Sequence, residues 1–164
     1  MMRKWIICLF ILLFITGCSQ KETEEVPKEV KEYQNIVSML KEKEITETEL
    51  PCKIEIQLEK SESDELIYTV TLDEPEEAMY EVQALFISMK EEKNSYPSVG
   101  ILDDKENLVP DRIDKENGFV KGIVLAGYLS SKEEIDEYHD TFRLYLSYKD
   151  EEGKRQTVYY EQKI

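Results

Sequence analysis

The spacing of apolar residues changes character along this chain. An unbroken apolar run at residues 5–15 is followed by residues 19–26, which are almost all polar or charged. Apolar residues then recur at a spacing that places them on one face of a helix. These are Val30, Tyr33, Ile36, Val37 and Leu40. After Pro51 the apolar period becomes two. The pattern predicts a short amphipathic helix at residues 28–43 and a β domain at residues 51–164.

Seven apolar segments in the β domain predict seven strands. They are residues 54–58, 66–72, 79–89, 98–102, 119–129, 142–148 and 156–160. Segment 79–89 is apolar on both faces, which is typical of a central strand. Gly118, Gly122 and Gly127 indicate a bend or bulge in or beside segment 119–129. Seven strands with almost no helix among them predict an all-β fold, a two-sheet β-sandwich.

The first eighteen residues have the composition of an export signal. Arg3 and Lys4 precede the apolar run, and small residues lead into Cys18. A run at residues 5–15 falls short of the ~20 apolar residues that span a bilayer, which argues against a permanent transmembrane helix. We therefore expect residues 1–17 to be a signal peptide, with residues 18–27 as a tether and residues 28–48 as the helix and a linker.

The segment Ile15-Thr16-Gly17-Cys18 resembles the lipobox of bacterial lipoproteins. The resemblance implies cleavage between Gly17 and Cys18, a diacylglyceryl group on the Cys18 thiol and often a further acyl chain on its amine. Two or three chains would hold the protein stably on the extracytoplasmic face of the cell membrane, because each buried CH₂ contributes ~0.8 kcal/mol. An uncleaved signal anchor that happens to contain Cys18 is the alternative.

Composition narrows the range of partners. The formal net charge is −15, and it falls by two more units if Arg3 and Lys4 leave with a signal peptide. This balance argues against nucleic acid or anionic polymers as partners. It permits a basic peptide or a divalent cation, but an acidic surface also simply keeps a small domain soluble. In general character the chain is similar to the small acidic lipoproteins of Gram-positive bacteria.

Cysteine usage excludes a disulfide framework if the signal is processed. Cys8 would be removed and Cys18 acylated, which leaves Cys52 alone. Cys52 opens an alternating segment, so we expect a buried small apolar side chain, with a reactive or intermolecular thiol as the alternative.

The strand number and spacing resemble an immunoglobulin-like sandwich, although the Cys–Trp–Cys core signature of that family is absent. Tyr138 precedes segment 142–148, roughly where such domains place a tyrosine corner. The loops and strand edges of such a sandwich can host partners.

No catalytic residue, cofactor or resident metal is predicted. The single histidine, His139, precedes Asp140, but neighbouring side chains on a strand or turn point apart, and no Gly-x-Ser-x-Gly elbow is present. Ser38 and Lys41 match a Ser-x-x-Lys pattern without its companion motifs, which we attribute to chance. Zinc would require Cys and His groupings that the chain lacks.

An acidic segment at residues 103–118 raises the question of calcium, which prefers carboxylate and carbonyl oxygens. Its spacing fails the EF-hand pattern, because Lys115 occupies a ligand position when Gly118 is aligned with the invariant glycine. We expect a solvated acidic loop, with a weak Ca²⁺ site as the alternative.

These observations predict a lipid-anchored, non-enzymatic binding or accessory module at the cell envelope, with an envelope protein or peptide as its partner. An enzyme or small-ligand carrier acting on cell-envelope material is the alternative. The sequence leaves open whether helix 28–43 docks on the β domain, on a second copy or on a partner.

Overall fold

The computed structural model describes residues 26–46, 49–63, 65–93 and 95–164. These residues form one helix, nine strands and two short 3-10 turns. In chain order the helix and strands are α1 (Lys28–Glu42), β1 (Lys53–Lys60), β2 (Leu66–Asp73), β3 (Met79–Ser88), β4 (Ser98–Val99), β5 (Glu106–Leu108), β6 (Phe119–Val120), β7 (Ile123–Leu129), β8 (Thr141–Lys149) and β9 (Arg155–Lys163). Within the described ranges, no helix has the length and apolar character needed to cross a membrane.

The strands form two sheets that pack face to face. Sheet 1 has the order β1-β2-β7, and sheet 2 has the order β6-β5-β3-β8-β9 with β4 also paired to β3. All pairings are antiparallel except the short one between β5 and β6. The predicted all-β sandwich is confirmed. Its β1-β2-β7 and β3-β8-β9 neighbours follow the A-B-E and C-F-G strand order of immunoglobulin-like sandwiches.

The main core fills the space between the two sheets. Tyr68 of β2, Phe86 of β3 and Phe142 of β8 form its centre, with ring centroids 5.3 to 5.7 Å apart. All three side chains are almost fully buried. Such aromatic contacts add ~0.5–1.5 kcal/mol per pair to the free energy gained by burying their surface.

A second core lies on the opposite face of sheet 2, where α1 docks. Tyr33, Ile36 and Leu40 of the helix pack against Leu85 and Ile87 of β3, together with Tyr96 and Ile101. Adjacent residues of a strand point to opposite faces, so β3 contributes Ala84 and Phe86 to the main core and Leu85 and Ile87 to the second. The predicted helix is confirmed, and the docking question is answered: it packs on the β domain.

A bulge at Glu81 divides β3 into two registers. Pairing with both β5 and β8 shifts there, and Glu81 has a φ of 49°, in the left-handed region. One extra residue lets Met79 and Val82, three positions apart, both face the main core. The carboxylate of Glu81 lies 2.5 Å from Lys149 Nζ, 3.2 Å from Arg155 Nη2 and 3.6 Å from Lys105 Nζ.

Three strand predictions need correction. Segment 119–129 is not one strand, because β6 belongs to sheet 2 and β7 to sheet 1. The chain crosses from one sheet to the other at Gly122. A Cβ at this position would lie 3.1 Å from the Leu72 carbonyl oxygen. Strand 98–102 is reduced to β4. The acidic segment expected to be a loop contains β5, which pairs with β3 at the bulge, so the described residues form nine strands and not seven.

The side chain of Arg143, on β8, binds the C-terminal end of α1 to sheet 2. Its Nη1 donates to the carbonyl oxygens of Leu40 at 2.7 Å, Lys43 at 3.1 Å and Lys41 at 3.3 Å. Its Nε and Nη2 both lie 2.8 Å from Glu161 Oε2. A cation at this position satisfies carbonyls that have no partner within the helix and complements the helix dipole.

Arg143→Gln should therefore destabilise the protein by about 2 kcal/mol, because hydrogen bonds from a charged group contribute ~1.5–3 kcal/mol. Urea unfolding measures this change. Lys132→Gln, which removes an exposed positive charge from the β7–β8 connection, is the matched control and should leave the free energy of unfolding unchanged. Equal stability of both variants would contradict the capping role of Arg143.

The cations around Glu81 lower the pKa of its carboxyl group, chiefly through the hydrogen bond from Lys149. A carboxyl whose pKa is lower in the folded state stabilises the protein above its ordinary pKa, and this contribution is lost as the pH falls through the folded value. Glu81→Gln should cost about 1 kcal/mol or less at pH 7, since the side chain is 42% exposed and water screens the pairs.

The difference between wild type and Glu81→Gln should shrink as the pH falls below the ordinary glutamate pKa of about 4.3 and vanish below the lower pKa of the folded state. Glu116→Gln, at an exposed carboxylate in the β5–β6 loop, serves as the control and should melt like wild type at each pH. A Glu81→Gln deficit that stays constant down to pH 3 would show that the carboxylate charge is not its cause.

Candidate functional site

The surface with the clearest capacity to bind a partner is the free edge of β7. Within the described ranges, β7 pairs only with β2, in the register Leu66↔Leu129 to Leu72↔Ile123. In an antiparallel pair, every second residue directs its N–H and C=O away from the neighbouring strand. The outer edge of β7 therefore presents unpaired backbone donors and acceptors along a strand of seven residues.

The side chains of β7 make this edge unusual among the strand edges of the protein. Ile123–Leu129 contains no charged residue, and two large apolar side chains on its outer face, Val124 and Tyr128, are 62% and 63% exposed. Ala126 between them is also exposed. Natural sheets protect their edges with charges, and an uncharged apolar edge is a template for another strand.

The other long edge strands, β1 and β9, contain the charged residues that protect a sheet edge. Strand β1 has Lys53, Glu55, Glu59 and Lys60 among its eight residues. Strand β9, at the far side of sheet 2, has Arg155, Glu161 and Lys163. Among the long edge strands, β7 alone lacks a charged side chain in the structure as described.

The inner face of β7 holds the edge firmly in place. Ile123, Leu125 and Leu129 are buried in the main core. Gly127 lies against the Tyr68 ring, where a Cβ would be 2.4 Å from Cζ and from the hydroxyl oxygen. A side chain at this position would displace either β7 or the central aromatic cluster, so Gly127 lets the strand lie close to the core.

A second surface, at one end of the sandwich, is strongly acidic. Its carboxylates come from the β2–β3 loop, with Glu76 and Glu77, and from the β8–β9 turn, with Asp150, Glu151 and Glu152. These side chains line a cleft of about 540 Å³, together with Ala78, Val109 and Pro110. Several of these carboxylates organise the loops. Asp150 accepts hydrogen bonds from the Gln156 side chain and from the Lys154 and Glu152 amides, which together lower its pKa. Glu77 accepts one from the Tyr148 hydroxyl.

The residues for which the sequence predicts lipid attachment and cleavage, Cys18 and Gly17, lie outside the described residues, as does the rest of the predicted signal peptide. Cys52 is buried in the main core, as predicted. Burial, followed by the nearby Asp73 and Glu76 carboxylates, raises the pKa of its thiol to about 12. Cys52 is therefore protonated at neutral pH and shielded from reagents, which does not fit a reactive thiol.

His139 and Asp140 do not form a pair. The His139 ring is exposed and its Nδ1 lies 3.4 Å from the Ile164 carbonyl oxygen. The buried Asp140 carboxylate accepts hydrogen bonds from the hydroxyls of Ser88 and Tyr138 and from the Lys90 amide. Tyr138 is buried just before β8, as in a tyrosine corner, but its hydroxyl donates to this carboxylate and not to a backbone carbonyl.

The acidic segment 103–118 does not gather its carboxylates. Asp103 accepts a hydrogen bond from the Gly100 amide at 2.6 Å, and Asp114 accepts one from the Asn117 side chain at 2.8 Å. Across the part of the chain that the structure describes, no group of three or more His, Cys, Asp or Glu side chains could hold a metal ion.

Comparison with protein-family models, with curated proteins and with solved structures finds no match to this chain. The β7 edge was not among the binding surfaces predicted from the sequence. The run of seven uncharged residues at 123–129 was visible in the sequence, but its position at a sheet edge depends on the change of sheet at Gly122.

Millimolar Ca²⁺ should leave the melting temperature unchanged, because the loop carboxylates serve as separate hydrogen-bond acceptors. A ligand at ten times its Kd would stabilise the fold by about 1.4 kcal/mol, which a thermal melt resolves. Mg²⁺ at equal concentration is the control for ionic strength. A rise specific to Ca²⁺ would contradict this reading of the acidic loops.

Proposed function

We propose that this protein is a lipid-anchored, non-enzymatic binding module on the extracytoplasmic face of the cell membrane, and that it engages its partner through the β7 edge. The observation that carries the proposal is an uncharged strand edge with exposed Val124 and Tyr128 on a firmly packed sandwich. Edges of this kind bind by strand addition, in which backbone hydrogen bonds supply affinity and alternate side chains supply specificity.

The anchor in this proposal is the acylated Cys18, supported by the lipobox at residues 15–18. Residues 19–27 would then connect the lipid to the first turn of α1. Fully extended, nine residues reach about 30 Å, since each residue spans at most ~3.3–3.6 Å. The domain would be held near the bilayer with room to rotate, so that its side surfaces stay accessible.

The direction of α1 determines where this tether joins the domain. The beginning of the helix lies beside the middle of sheet 2, where Glu32 accepts a hydrogen bond from Gln83. Its end lies at Arg143, near the start of β8. The tether therefore joins α1 on the outer side of sheet 2, the side of the sandwich opposite to the exposed face of sheet 1.

The anchor is tested by expressing the full chain in a bacterium that processes lipoproteins, with a labelled fatty acid in the medium. Wild type should be labelled, membrane-bound and released only by detergent. Cys18→Ser should be unlabelled and should migrate as the larger, uncleaved precursor. Cys52→Ser is the matched control and should be labelled and processed like wild type. An unlabelled wild-type protein, or labelled Cys18→Ser, would contradict the proposal.

A further inference from the structure

We propose that the partner at the β7 edge is a second copy of this chain, so that two copies join sheet 1 into one six-stranded sheet, β1-β2-β7 continued by the partner copy's β7-β2-β1. This inference rests on the proposed function, because it names the occupant of the same edge. Cyclic two-fold dimers are the commonest assemblies of a single chain, and their interfaces are built from one surface used twice.

The sequence of β7 is self-complementary when two copies run antiparallel about Ala126. In that register the Ala126 residues of the two copies lie opposite each other, and Val124 of each copy faces Tyr128 of the other. Leu125 then faces Gly127, and Ile123 faces Leu129. Pairs of an aromatic and a β-branched side chain across antiparallel strands are stabilising by ~0.2–1 kcal/mol each, and two such pairs occur here on the outer face.

The neighbouring strands extend this match. Within one copy Tyr128 is paired with Ile67, which is paired with Glu59, and Val124 is paired with Thr71. A row across the joined sheet therefore reads Ile67 and Tyr128 from one copy, then Val124 and Thr71 from the other. Exposed Val124 and Tyr128 and half-buried Ile67 and Thr71 then become a continuous row, with the charged residues of β1 at its two ends.

Charge repulsion does not prevent this pairing, although the chain is strongly acidic. The carboxylates on the outer face of sheet 1 are those of β1 and Asp73 at the end of β2. The two β2 strands of the joined sheet lie three strand spacings apart, about 14 Å, and the two β1 strands lie five strand spacings apart. At ~4.8 Å per spacing this is about 24 Å. Exposed charges are largely screened beyond a Debye length of about 8 Å at physiological ionic strength.

The uncharged edge also favours a second copy over a basic peptide. A basic peptide drawn by the net charge would meet no carboxylate among Ile123–Leu129. A second copy offers an edge of the same uncharged, apolar composition.

The anchors allow this assembly on one membrane. Two antiparallel strands in one sheet are related by a two-fold axis normal to the sheet, so both α1 helices lie on the same side of the dimer. Each tether then starts from the side that carries α1, and both can reach the same bilayer while the face of sheet 1 points away from it. Confinement to a membrane raises the effective concentration of copies and favours a weak edge-to-edge dimer.

The test uses Ala126→Cys in the full chain, with two differently tagged copies expressed together and oxidised in intact cells. Opposed residues of antiparallel strands have Cα atoms ~4.5–5.5 Å apart, within the range that a disulfide bridges. We expect a disulfide-linked dimer that contains both tags. The matched control is Gln57→Cys, exposed on the same face of sheet 1 but on β1. It should give no dimer, and neither should the parent protein, whose Cys52 is buried.

A second variant shows whether the crosslink depends on the proposed contact. Val124→Glu added to Ala126→Cys places a carboxylate opposite Tyr128 of the other copy and should reduce the yield of linked dimer about tenfold. Because Val124 is exposed in one copy, the melting temperature of Val124→Glu alone should match that of wild type in dilute solution, where neither protein is a dimer. A yield that does not change would contradict the register.

The outcomes separate this inference from the proposed function. If Ala126→Cys is folded, lipid-labelled and linked to a different protein but not to its own copies, self-pairing is overturned and β7 remains a binding edge. If it is folded and labelled but linked to nothing, self-pairing is overturned, and the lipid anchor stands. If the wild-type chain carries no lipid, the anchored module is overturned independently of any dimer.

Discussion

The structure depends on burying both faces of β3. Ala84 and Phe86 pack into the core between the sheets, while Leu85 and Ile87 pack under α1. Neither face can be left to water, because each fully exposed side chain of this size forfeits ~1.5–3 kcal/mol of hydrophobic stabilisation. The helix is therefore the third layer of the fold, and Arg143 fixes its end in the position that covers β3.

The edges of the sheets follow from that arrangement. Strands β8 and β4–β5 flank β3 and complete the centre of sheet 2, whereas the described residues give sheet 1 three strands, with β1 and β7 at its edges. Charged residues protect β1, and none of the elements formed by the described residues covers the outer face of sheet 1 as α1 covers sheet 2. The uncharged β7 is thus left as the sheet edge at which we propose that a further strand pairs, with backbone hydrogen bonds and apolar contacts acting together.

Much of the fold could be predicted from the sequence, because the spacing of the apolar residues along the chain matches the positions whose side chains are buried. The helical spacing of Tyr33, Ile36 and Leu40 identified the face that docks, and the two-sided apolar run after Met79 identified the central strand. Three features of the fold could not be identified from local sequence patterns. The bulge at Glu81 places a non-glycine residue at positive φ, the change of sheet at Gly122 looks like a bend within one strand, and β5 pairs inside an acidic segment. The exposure of Val124 and Tyr128 follows from that topology, so the candidate surface could not be predicted.

Hydrogen–deuterium exchange of the full chain measures whether α1 and β3 are stabilised together, since amide protection reports the local free energy of opening. We expect the slowest exchange in β3 and β8, with α1 protected from Tyr33 to Leu40. We also expect that Arg143→Gln speeds exchange in α1 and in the Leu85 and Ile87 segment of β3 together. Rapid exchange of α1 beside an equally protected β3, unaffected by Arg143→Gln, would show that the helix is not the layer that completes the fold.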